Sequence, residues 1–99
     1  MLNKKYFQAV RKDLLSYAGQ RREVIKISGD AQQQAKKAIF ALQRDDKKGA
    51  VIMLEGAESL LLELNKRFNG IEGIFDEGAY RAALEEYAEA YFFNQYLSI

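Results

Sequence analysis

The pattern of residues 3–44 constrains the fold of this chain more than any other feature. When these residues are projected at about 100° per residue, apolar side chains stay on one side and basic side chains on the other. The apolar side carries Phe7, Val10, Leu14, Tyr17, Val24, Ile25, Ala31, Ala35, Ile39 and Leu42. The basic side carries Lys4, Arg11, Arg22, Lys26, Lys36, Lys37 and Arg44. Because both faces keep their phase across Gly19 and Gly29, the pattern predicts one long helix of about 60 Å, straight or bent at a glycine, and not two helices joined by a turn.

Two shorter helices are predicted after this one. The stretch "RDDKKGA" interrupts the pattern and offers Asp45 or Asp46 as the N-cap of the second helix. That helix is predicted to end at Asn69-Gly70, a favourable C-cap pair. After the glycine-punctuated segment "NGIEGIFDEGAY", Asp76 is predicted to cap a third helix from about Glu77 to Leu97. We therefore expect an all-α fold in which a long N-terminal helix packs with two shorter helices.

The amino acids that are missing narrow the possible chemistry. The 99 residues contain no proline, cysteine or histidine, and a chain of this length is expected to form a single domain, residues 1–99. Without cysteine or histidine there is no disulfide, no thiolate or imidazole catalysis and no usual zinc ligand. Any metal would be a hard cation such as Mg²⁺ or Mn²⁺ held by carboxylates. There is no signal peptide and no apolar run long enough to span a membrane, so a cytoplasmic location is expected.

Charge is distributed unevenly along the chain. Residues 1–49 carry 12 of the 15 Lys and Arg and 5 of the 14 Asp and Glu, a net charge of +7. Residues 50–99 carry the other 3 and 9, a net charge of −6. This asymmetry indicates either a polyanionic partner or halves that attract each other or a neighbouring subunit.

The predicted helices expose more apolar surface than one copy of the chain can cover. Two shorter helices cannot cover the apolar stripe of a helix about 60 Å long. The third helix, in "ALEEYAEAYFFNQY", is apolar nearly all round after residue 90. Exposed apolar surface of this extent is typical of an interface, so we expect assembly through helix–helix contacts into at least a homodimer.

Three stretches, in this order and spacing, resemble the translin family, which includes the translin-associated factor X subunits. They are "QRREVIKISGDAQQQAKKAIFAL", "RDDKKGAVIMLEGAESLL" and "ALEEYAEAYFF". The resemblance covers about Gln20 to Phe93. It implies an all-α fold that assembles into hollow oligomers, from copies of one chain or with a second translin-family subunit. It also implies binding of single-stranded RNA and DNA.

The resemblance further implies particular site residues. In the nuclease subunits of the family, a Glu-x-x-Glu motif within "EYxEA" forms part of a magnesium site, and it corresponds here to Glu86 and Glu89. These are the candidate catalytic and metal-binding residues, with Glu85 secondary. The family's basic residues near "RREVIK" correspond to Arg21, Arg22 and Lys26. Family members are about twice as long, and their second acidic cluster lies on a later helix, so we expect the N-terminal half of the fold, weak Mg²⁺ or Mn²⁺ binding and little activity.

Each site has an alternative interpretation without a ligand. By spacing alone, Glu86 and Glu89 are more typical of a solvated acidic face than of a metal site. The basic face either follows a phosphate backbone or serves subunit contacts in a purely structural assembly protein. Tyr6, Phe7 and Tyr17 are expected to pack in a core instead of stacking on bases. The candidate nucleic-acid-binding residues are Arg11, Arg21, Arg22, Lys26, Lys36 and Lys37.

Overall fold

The regular elements within residues 3–98 are all helical. A computed structural model describes residues 3–98, with the side chains of Asp13 and Leu14 left aside. It contains α1 (Lys4–Gln43), α2 (Lys47–Phe68), a short 3-10 helix (Ile74–Asp76) and α3 (Gly78–Leu97). None of the described helices is long and apolar enough to cross a membrane.

Helix α1 is continuous over 40 residues, as the sequence pattern predicts. The side chain of Asn3 caps its first turn by accepting a hydrogen bond from the backbone N–H of Tyr6 at 3.1 Å. The helix passes through Gly19 and Gly29 without a break. The prediction of one long N-terminal helix is therefore confirmed.

The turn into α2 uses the two predicted aspartates in different ways. Asp45 adopts a positive φ of 64°, a left-handed conformation that Asp tolerates better than most residues. Asp46 is the N-cap, and its carboxylate accepts a hydrogen bond from the N–H of Gly49 at 3.0 Å. Past the other end of α2, Gly70 has a φ of 89°, a conformation that favours glycine.

The predicted N-cap of α3 is wrong. Asp76 belongs to the 3-10 helix, and Glu77 occupies the N-cap position of α3 without a side-chain capping bond. The Asp76 carboxylate instead lies 3.6 Å from the guanidinium of Arg81. The extra 3-10 turn moves the start of α3 beyond the aspartate, which the sequence pattern did not indicate.

The core lies between the C-terminal part of α1 and the two shorter helices. At one end, Val24 packs with Leu64, Phe68, Ile74 and Ala83. Further along, contacts are made mostly by alanines of all three helices, and the core ends where Phe93 and Leu97 pack on a cluster around Leu42. Because alanine side chains are small, the helix axes can approach closely there. Helix α3 runs parallel to α1, because its start packs near Val24 and its end packs near Leu42. Helix α2 contacts these two regions in the opposite order and is antiparallel to both.

The first part of α1 extends beyond this core. We call residues 4–18 the N-terminal extension; all of its described side chains are exposed. It gives the molecule an elongated shape, with extents of 69 × 19 × 16 Å. Tyr6, Phe7 and Tyr17 are 71%, 64% and 37% exposed, so the prediction that they pack in a core is wrong for the single chain. Leu14, also predicted on the apolar face, lies outside the described side chains.

Candidate nucleic-acid interface

Helix α1 presents a basic face opposite its packed face. Val24, Ala31 and Ala35 are buried against the other helices, and this fixes the rotation of α1 about its axis. The opposite side then faces solvent, and we call its cationic side chains the basic face: Arg11, Arg22, Lys26, Lys36 and Lys37. Four of these are exposed and Lys36 is half-buried. Most of the basic face therefore points away from the core, and Lys36 at its edge lines a depression with Glu86 of α3.

Arg21 differs from its neighbours on α1. Its guanidinium is hydrogen-bonded to the carboxylate of Glu77 at the start of α3. The other described ion pairs involve Arg67 and Arg81. Among the carboxylates that the structure describes, none lies within ion-pair distance of the basic face. The basic face is thus available to an external anion, whereas the guanidinium of Arg21 is already paired with Glu77.

An exposed aromatic side chain stands within the basic face, and the sequence reasoning did not single it out. Phe40 is 55% exposed, and Lys36, Lys37 and Arg44 precede or follow it by three or four residues, which places them on the same side of α1. Its ring lies between two shallow depressions, one lined by Lys37 and Arg44 and the other by Lys36 and Glu86. The signal in the sequence that could have identified Phe40 is its spacing of four and three positions from Lys36 and Lys37.

The candidate metal residues do not share one environment. Glu86 is half-buried and lines a depression together with Lys36, whereas Glu89 and Glu85 are exposed. Within residues 3–98, side chains of Asp13 and Leu14 aside, no three acidic residues are grouped in a way that could hold a metal ion. The lysine beside Glu86 supplies a positive charge that a cation at this position would have to displace. The geometry offers two carboxylates on successive turns of α3 and a competing lysine.

A hydrogen bond between side chains joins the two shorter helices near this acidic segment. The hydroxyl of Tyr87 on α3 donates to Oε2 of Glu58 on α2 at 2.9 Å. Burial of the phenol, the hydrogen bond to Glu58 and the negative charge of Glu58 together raise the pKa of Tyr87 from 10.0 to about 12. Because Tyr80, Ala83 and Ala90 are buried on the inner side of α3, Glu85 and Glu89 face solvent.

No family model, no curated protein and no solved structure matches this chain. The translin resemblance therefore rests on the three sequence stretches alone.

Proposed function

We propose that this chain binds single-stranded RNA or DNA through the basic face of α1, as its resemblance to the translin family implies. The observation that supports this proposal is the row of cationic side chains from Arg11 to Lys37, four of them exposed and one half-buried, which the described carboxylates leave without ion pairs. Arg22 and Lys37 are separated by 15 residues of helix, or about 22 Å. A single strand lying along α1 can therefore meet several cations in succession.

The binding energy in this proposal comes mainly from the release of counterions. Each phosphate of a single strand that is neutralised by Lys or Arg contributes about −0.7 to the slope of log K against log salt concentration. Five contacts give a slope of about −3.5. Phe40, placed among these cations, adds a surface on which one base can stack.

The test is the affinity for a labelled single-stranded RNA at two salt concentrations. We expect the double variant Arg22→Glu, Lys26→Glu to weaken binding by about tenfold or more and to flatten the salt dependence by about 1–2 units of slope. The matched control is Lys47→Glu, Lys48→Glu, which makes the same change in net charge on exposed side chains outside the basic face. Equal affinities of the two double variants would contradict the assignment of the basic face.

The acidic residues of α3 form the second part of the proposal. We propose that Glu86 and Glu89 are a partial Mg²⁺ or Mn²⁺ site related to that of the family's nuclease subunits. Mg²⁺ normally takes six oxygen ligands in near-ideal octahedral geometry, several of them water. Two carboxylates beside Lys36 supply few of these ligands, so binding is weak and activation of a water molecule is poor.

The second candidate function is that of a structural assembly protein without a nucleic-acid partner. The exposed apolar side chains of the N-terminal extension favour it, because they indicate a contact with another chain. The affinity for single-stranded RNA at two salt concentrations also distinguishes the two functions. A chain that self-associates but shows no salt-dependent affinity for single-stranded RNA or DNA would support the structural function.

A further inference from the structure

A depression at the turn between α1 and α2 combines side chains of three chemical kinds, and we call it the turn depression. Its walls carry two cations, two apolar side chains and one carboxylate: Lys37, Arg44, Phe40, Met53 and Asp46. Its volume is about 170 Å³, several times the roughly 30 Å³ that a water molecule occupies in the liquid. Cations, an aromatic surface and a hydrogen-bond acceptor are the groups that meet the phosphate, the base and the ribose hydroxyl of a nucleotide.

The tight turn between the helices brings these side chains together. The backbone N–H of Asp46 donates to the carbonyl oxygen of Ala41 at 2.8 Å, which folds the start of α2 back onto the end of α1. The positive φ of Asp45 allows this reversal. The last turns of α1, with Lys37 and Phe40, therefore lie beside the first turns of α2. The walls of the turn depression are thus positioned by backbone hydrogen bonds.

The charged side chains of the turn depression are not paired with one another. Among the ion pairs that the structure describes, none involves Lys37, Arg44 or Asp46. Two cations and one carboxylate leave the depression with a net charge of +1, which one phosphate would neutralise. Lys37 also belongs to the basic face, so a strand that lies along α1 reaches the turn depression at the end of that face.

The carboxylate of Asp46 uses one oxygen as a cap and leaves the other for a ligand. Oδ1 accepts a hydrogen bond from the N–H of Gly49 at 3.0 Å, whereas Oδ2 accepts none from any residue in the part of the chain that is described. A Cβ atom added at Gly49 would overlap Oδ2, so this oxygen lies against a glycine that also lines the depression. The ribose 2′-hydroxyl, which RNA has and DNA lacks, can donate to such an acceptor.

From these observations we propose that the turn depression binds one nucleotide of the strand and selects RNA over DNA, because the ribose 2′-hydroxyl donates a hydrogen bond to Oδ2 of Asp46. This inference rests on the proposed binding of a single strand along the basic face and specifies its sugar. The base packs on Phe40 beside Met53, and the phosphate lies beside Lys37 and Arg44. The ribose joins the two and therefore comes within reach of Asp46.

Three labelled strands of one sequence test the role of the sugar. A short repeat of A and C has the same bases in RNA and in DNA and does not pair with itself. We expect the wild type to bind the RNA about tenfold more tightly than the DNA, because the DNA lacks a hydrogen bond to a charged acceptor. The 2′-O-methyl RNA keeps the ribose oxygen but has no hydroxyl proton to donate, so it is expected to bind like the DNA.

Asp46→Asn removes the available acceptor and keeps the cap. Asn caps a helix about as well as Asp, and when its oxygen accepts from Gly49 its NH₂ group faces the ribose and can only donate. This variant is expected to bind RNA and DNA with equal affinity and to unfold at close to the wild-type temperature. Asp45→Asn is the matched control, with the same change in charge on the neighbouring exposed residue outside the turn depression. It is expected to keep the tenfold preference.

The possible results separate this inference from the proposed function. Equal, salt-dependent affinities of the wild type for RNA and DNA would overturn the selection of RNA and leave binding along the basic face standing. The selection would also be assigned to the wrong place if Asp46→Asn kept the preference or if the 2′-O-methyl strand bound like RNA. Absence of salt-dependent binding to every strand would overturn both.

Discussion

Among single residues, Tyr87 links packing and charge most directly. Its hydroxyl is partly removed from water and donates to the Glu58 carboxylate at 2.9 Å. The pKa of Tyr87 rises from 10.0 to about 12 because burial and the neighbouring negative charge both disfavour the phenolate. The folded chain therefore holds the proton more tightly than the unfolded chain does. The resulting stabilisation is complete below pH 10 and is lost as the pH rises toward 12.

We expect Tyr87→Phe to lower the free energy of unfolding by about 1 kcal/mol at neutral pH, since it removes one hydrogen bond and keeps the ring. Between pH 10 and 12 the difference from the wild type should shrink, because the wild type then loses the contribution of Tyr87. Urea unfolding followed by helical circular dichroism measures both effects. Tyr96→Phe, at a side chain that is 73% exposed, is the control. A difference that stays constant up to pH 12 would contradict this account.

At the scale of the elements, helix α1 contains two glycines, Gly19 and Gly29, well inside its 40 residues. A Cβ atom added at Gly19 or Gly29 would meet no atom within 4 Å. Glycine in a helix interior costs roughly 0.5–1 kcal/mol relative to alanine. Alanine at either position is therefore expected to raise the free energy of unfolding, because it avoids this cost and its Cβ meets no steric conflict.

We expect Gly29→Ala to raise the free energy of unfolding by about 0.5–1 kcal/mol, because it restricts the unfolded chain and suits the helix. Gly70→Ala is the matched comparison. At a φ of 89° it should destabilise the chain by about 1 kcal/mol or more, although open space surrounds it. Thermal unfolding of the two variants beside the wild type measures the contrast. A destabilising Gly29→Ala would mean that α1 bends at this position.

At the scale of the whole molecule, charge is distributed unevenly over the surface of the helix bundle. The basic face of α1 points away from the core, and the exposed glutamates of α3 lie on another side. Salt is expected to weaken the binding of a polyanion to the basic face.

Catalysis would depend on the whole assembly, because Glu86 and Glu89 of one chain alone would give a metal ion few ligands. We expect little or no RNA cleavage with Mg²⁺ or Mn²⁺, since Glu86 and Glu89 provide only two carboxylates. A cleavage assay of the wild type beside Glu86→Gln and Glu89→Gln, with the exposed Glu55→Gln as control, tests this. Strong metal-dependent cleavage that either α3 substitution abolishes would refute it, and would mean that neighbouring chains complete the site.

The sequence by itself determined the elements that depend on local patterns. Continuous phase across Gly19 and Gly29 predicted the single helix α1, because a helix repeats its faces every 3.6 residues whatever it packs against. Asp46 was one of two predicted caps for α2, and the Asn69-Gly70 end was also predicted, since capping involves residues within one turn. The basic face was likewise readable from spacing alone.

Only the tertiary structure decided which parts of these faces are covered. Periodicity gave Phe7 and Val24 the same apolar side of α1, but α2 and α3 reach Val24 and leave Phe7 exposed. Two further features depend on residues far apart in the chain: the ion pair of Arg21 with Glu77 and the position of Phe40 between two depressions. The displacement of Asp76 from the N-cap depends on the 3-10 turn before α3. A helical pattern states which side chains share a face, whereas the lengths and ends of the neighbouring helices determine where that face meets a partner.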